Sequence, residues 1–154
     1  MESTLQKPTD LRTPRSKGIV IGFWIFTALF CLQMSFTAYY ELLRLPEAAQ
    51  AFTRLGFPAS YFRVELSWAK VAGVAALLVP MVPARLKEWA YAGFAINLAS
   101  ALIAHLSLGD GPPALAPSTA TSVLWGLSYF FWRRLQSNQK RLPRAAVAGH
   151  AERI

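Results

Sequence analysis

The run from Arg85 to Asp110, RLKEWAYAGFAINLASALIAHLSLGD, limits what this chain can become more than any other stretch. Arg85, Lys87 and Glu88 open it, Trp89 and Tyr91 follow, and about 20 mostly apolar residues then match a hydrocarbon thickness of about 30 Å at about 1.5 Å rise per residue. The segment predicts a transmembrane helix that leaves the membrane at Gly109 and Asp110. A span facing only lipid has no use for Asn97, Ser100 or His105, so these groups must look into protein or water.

The remaining apolar residues also fall in long blocks. With 54% of residues hydrophobic and 16% charged, that arrangement predicts one small integral membrane domain. The net charge of +8 sits in the tails and one short loop, where it sets topology and does not suggest a nucleic-acid partner. Cys31 is the single cysteine, which excludes an internal disulfide, a C-x-x-C pair and a cysteine metal cluster. With only His105 and His150, no metal site is expected.

Taken in order, residues 1–17 hold Lys7, Arg12, Arg15 and Lys17 with Pro8 and Pro14, and predict a flexible basic tail. The first span covers about 18–43, too long for a signal-peptide core. At about 100° per residue it places Gln33, Thr37 and Tyr40 on one inward stripe, with Glu41 at its edge. Residues 45–58 are too short and polar to span, and predict a helix lying along the membrane surface. The second span, 60–82, puts Arg63, Ser67, Lys70, Gly73 and Leu77 on one face and Glu65 nearly opposite, so Lys70 needs a counter-ion from another helix. The third span runs over 87–108 and carries a stripe of Gly93, Asn97, Ser100, Ala104 and Ser107 that would let backbones approach closely. After a rigid GPPALAP turn, the fourth span covers 118–135, and 137–154 predict a disordered basic tail.

Basic residues in both tails and at Arg85 and Lys87 place the termini and the second-to-third loop in the cytoplasm. The fold expected is an all-α, antiparallel four-helix membrane bundle within residues 18–136. Glu41, Lys70, His105 and Asp110 then share the outer half and predict a polar pocket there, joined by Gln33, Tyr40 and Asn97. His105 falls off the small stripe and faces either a neighbouring helix or the interface. Glu88 complements the positive end of the third helix, with Lys87 or Arg85 as partner. Trp89, Tyr91, Trp125 and Trp132 read as interface belts and packing, and Gly93 as a helix contact.

The segment from Arg54 to Asp110 carries RLGFP, a Lys ahead of a Gly-containing apolar run, a Pro-rich loop, RLKEWAYAGF and a His-Leu…Gly-Asp ending. It resembles the DoxX-like family of small four-helix membrane proteins. That resemblance implies a four-helix bundle, with related members linked to membrane redox complexes and a wider set of relatives that includes assembly or trafficking factors. No motif encodes a cofactor, a quinone is one candidate ligand, and the expected location is a bacterial inner membrane. Enzyme motifs such as G-x-S-x-G, the P-loop and H-E-x-x-H are missing from the sequence. Three functions follow: a redox-linked subunit or binder of a quinone-like molecule, a non-enzymatic assembly factor, and a small dimeric transporter. The partners expected are the lipid bilayer and either a second copy or a larger redox complex.

Overall fold

The computed structural model describes residues 17–43, 46–54, 56 and 60–151. The tail expected over 1–17 therefore lies outside the described residues, except for Lys17. The described chain forms α1 (Lys17–Leu42), α2 (Pro46–Arg54), α3 (Ser60–Leu78), α4 (Ala84–Ser107) and α5 (Pro112–Ala151), an all-helical fold.

Helix ends follow local chemistry. Pro80 disfavours the helical region for the residue before it, so α3 stops at Leu78 and not at 82. Lys87 is buried, and its Nζ donates to the Leu77 carbonyl at 3.3 Å, one of the orphan acceptors at the end of α3. Gly109 takes a positive φ of 68° after α4. There its N–H donates to Leu106 O at 3.0 Å and the Asp110 N–H to His105 O at 3.1 Å, the paired bonds of a Schellman cap. The expected rigid turn over GPPALAP is instead the first turns of α5, because proline suits opening positions where no intrahelical N–H partner exists. At the other end α5 runs on through 137–151, where disorder was expected. Good helix formers such as Gln, Lys, Arg and Ala populate that stretch.

Helix α1 packs against α3 and α5, and α4 packs against the same two. Contacts set an antiparallel register for neighbours. Thr27 meets Ser128, Tyr91 meets Ser128, and Glu41 at the end of α1 meets Ser67 and Lys70 near the middle of α3. Phe30, Met34, Leu77, Tyr91, Phe94 and Trp132 fill the core, with Phe30 and Phe94 edge to face at 5.0 Å.

The surface is the reverse of a water-soluble protein's. Leu32, Trp68 and Trp89 are 69%, 61% and 76% exposed, while Thr27, Ser67 and Ser128 are fully buried. Water would drive the opposite sorting; hydrocarbon does not. Among the described residues α1 and α4 are long and apolar enough to cross a membrane. Together with this surface they mark the chain as a membrane protein.

Small residues play two different parts in this packing. A Cβ on Gly73 would lie 2.7 Å from the ring of Phe94, which is itself buried against Phe30, whereas a Cβ on Gly93 would meet nothing within 4 Å. Gly73→Ala should therefore lower stability by about 1–3 kcal/mol through overpacking, and Gly93→Ala should leave it unchanged or higher. Thermal unfolding of the two variants in detergent, compared with wild type, checks the difference.

Candidate functional site

The site is built on Lys70, which α3 buries along with Arg63. Glu41, near the C-terminus of α1, answers Lys70 across the helix pair, with Lys70 Nζ donating to Glu41 Oε1 at 2.5 Å. Ser67, one turn before Lys70, donates to Glu41 Oε2 at 2.8 Å and also lies 2.8 Å from the Arg63 carbonyl. All three side chains are buried. The carboxylate thus has a partner on each oxygen, as a charge removed from water requires.

Glu41 and Lys70 of this cluster form part of the wall of a cavity of about 380 Å³ at the α2 end of the bundle. Helix α1 adds Gln33 and Thr37, α4 adds Asn97, Ser100 and Ala104, and α5 adds Ser118 and Thr121. Phe52 of α2 closes one side. The stripe on α4 expected to bring backbones together instead leaves a hollow: Gly93, Asn97, Ser100 and Ala104 line it, while α4 buries Tyr91, Phe94 and Leu98 on another face.

A second hollow, a groove of about 720 Å³, lies between α3 and α4. Leu66, Lys70, Gly93 and Asn97 belong to the walls of both.

Residues 25–127 match the DoxX-like family. The chain belongs to the DoxX-like family. No curated protein and no solved structure gives a match. Within this DoxX-like protein the matched region contains Glu41, Ser67, Lys70, Asn97 and both hollows.

Other residues singled out in the sequence lie elsewhere. Tyr40 is 39% exposed and packs on Phe36 at 4.6 Å, outside the cavity. The buried stripe of α1 runs through Phe30, Met34, Ala38 and Glu41, so Glu41 sits within it and Tyr40, about 100° away, falls outside. Asp110 and His105 do not line the cavity either. The Schellman cap brings them together, with His105 Nδ1 2.7 Å from Asp110 Oδ2, and Arg54 of α2 pairs with the other carboxylate oxygen. These three tie α2 to the α4–α5 turn. Glu88 pairs with Arg133 of α5 at 3.2 Å and not with Lys87 or Arg85, because Lys87 is occupied with the end of α3. Trp89 lines the groove.

Sequence reasoning missed a neutral polar knot deeper in the bundle. The Ser128 hydroxyl lies 2.7 Å from both Thr27 Oγ1 and the Tyr91 hydroxyl, and Trp125 Nε1 donates to the Tyr91 carbonyl at 3.0 Å. Tyr91 is thus fully buried core and not an interface belt. Thr27 and Ser128 gave no signal of their own, since lone hydroxyls in apolar helices commonly bond within their helix. Ser67 fell on the face assigned to Lys70, which could have found it.

Removing one member of a buried ion pair leaves the other charge uncompensated. Lys70→Met alone should destabilise this DoxX-like protein by about 3 kcal/mol or more, and Glu41→Leu with Lys70→Met should recover most of that loss. A double-mutant cycle on thermal stability in detergent measures the coupling. Additive losses would mean the two side chains do not depend on one another.

Proposed function

We propose that this DoxX-like protein binds a lipophilic small molecule with a quinone-like head in the cavity at the α2 end, as a redox-linked membrane subunit. The observation that carries this reading is the buried Lys70–Glu41 pair, braced by Ser67, in the wall of the cavity. A buried charge pair commonly adds little stability over apolar side chains of similar volume, so its position beside a hollow supports a ligand role. Lys70 has three N–H donors, and Glu41 takes one. A further donor suits a carbonyl oxygen. When a bound quinone gains electrons from a membrane partner, negative charge develops on that oxygen beside the ammonium, which stabilises it.

In this reading α3 and α5 cross the membrane with α1 and α4, and α2 lies along the outer surface. Arg85, Lys87, Arg133 and Arg134 fall at the opposite end, supporting a cytoplasmic position for that end and for both termini. A transporter reading is less well supported, because Glu41 lies near the end of α1 and is committed to Lys70 and Ser67.

Native mass spectrometry of the gently solubilised protein tests the proposal. Wild type should carry a quinone or a comparable lipophile, and the Glu41→Leu/Lys70→Met variant should have lost it. Partner proteins retained equally by both, with no small molecule on either, would overturn the binding role in favour of an assembly factor.

A further inference from the structure

We infer that the groove between α3 and α4 holds the apolar tail of the molecule whose head occupies the cavity, so that the site loads sideways from the lipid. This rests on the ligand-binding reading above and adds to it the shape of the ligand and its route.

The two hollows share a wall at Lys70, Gly93 and Asn97. Among the described residues that line the groove, Lys70 and Asn97 are the only charged or amide side chains, and both stand at that junction. Away from it the lining is apolar and mostly small, with Ala72, Gly73 and Ala76 on α3 and Trp89 and Ala90 on α4. Polarity therefore falls along the path, from many hydrogen-bonding groups in the cavity to a mainly apolar groove with the Trp89 indole N–H beyond the junction. That pattern fits a molecule with one polar head and one unbranched or prenyl tail. From Lys70 to Val79 the groove follows α3 for about 14 Å at about 1.5 Å per residue, which accommodates a short length of such a tail.

Gly93 stands where the two hollows meet. A Cβ there would meet no atom within 4 Å, so the space between cavity and groove is unobstructed by α4. Because lipid chains are as apolar as the groove, the groove supplies little affinity of its own. Its contribution is to direct the tail between α3 and α4 and to hold the head toward Lys70.

The test uses the full chain in lipid nanodiscs with two probes, a dimethoxy-methyl-benzoquinone without a tail and the same head with a decyl tail. Ala72 is exposed and lines only the groove, so Ala72→Phe narrows the groove without touching the ion pair. It should weaken the decyl probe about tenfold, the scale of forcing a side chain into occupied space, and leave the tail-less probe within about twofold. Ala69→Phe, at another exposed groove position, should act the same way and guards against a folding defect in either variant. A decyl probe with a diazirine at its tail end should label Ala75 to Ala90.

Equal binding of both probes to both variants, or labelling on α1 or α5, would overturn the tail assignment while leaving the head site intact. Failure of either probe to bind wild type would remove the head site and the tail assignment together.

Discussion

A lysine among apolar helices must find an acid, and this requirement organises the α2 end of the bundle. Lys70 can meet Glu41 only if α1 ends where α3 has completed its first turns, which ties the register of the two helices to one ion pair. Ser67 falls on the same face because it precedes Lys70 by nearly one turn, and it occupies the second carboxylate oxygen. Once those groups face inward, the large apolar side chains of both helices are left to face outward, where hydrocarbon tolerates them.

The two ends of the bundle then differ in kind. Toward the α3–α4 loop, Thr27, Tyr91 and Ser128 satisfy one another within a packed aromatic core, and neutral hydroxyls need no further partner. Toward α2, small residues on α4 face the cluster of charge and leave space beside it. Gly73 makes room for the Phe94 ring between α3 and α4, while a Cβ on Gly93, on the α4 face that lines both hollows, would meet nothing within 4 Å. Arg54, Asp110 and His105 fasten α2 over the same end, with Phe52 in the cavity wall.

Much of this was legible before any coordinates. The apolar runs located the helices, and the face shared by Arg63, Ser67, Lys70 and Leu77 is buried as its periodicity predicts. The need for a counter-ion to Lys70 was also readable, but its identity was not, since partner choice depends on helix rotation and register. A wheel shifted toward Tyr40 instead of Glu41 illustrates the sensitivity: one residue moves a side chain through about 100°. The α4 stripe was visible too, yet small residues signal contact and cavity equally well, and only the position of the neighbouring helix decides between them. His105 and Asp110 looked like pocket residues from their depth, whereas a local cap at Gly109 turns them toward each other.

The central claim is that Lys70, paired with Glu41, presents its ammonium to a ligand inside the membrane. Nitrogen-15 NMR of Lys70 Nζ in lipid bilayers, recorded with and without a decyl benzoquinone, tests it most directly. The account predicts a Lys70 resonance that depends on Glu41 and moves when the quinone is added. A resonance indifferent to both Glu41→Gln and the quinone would contradict it.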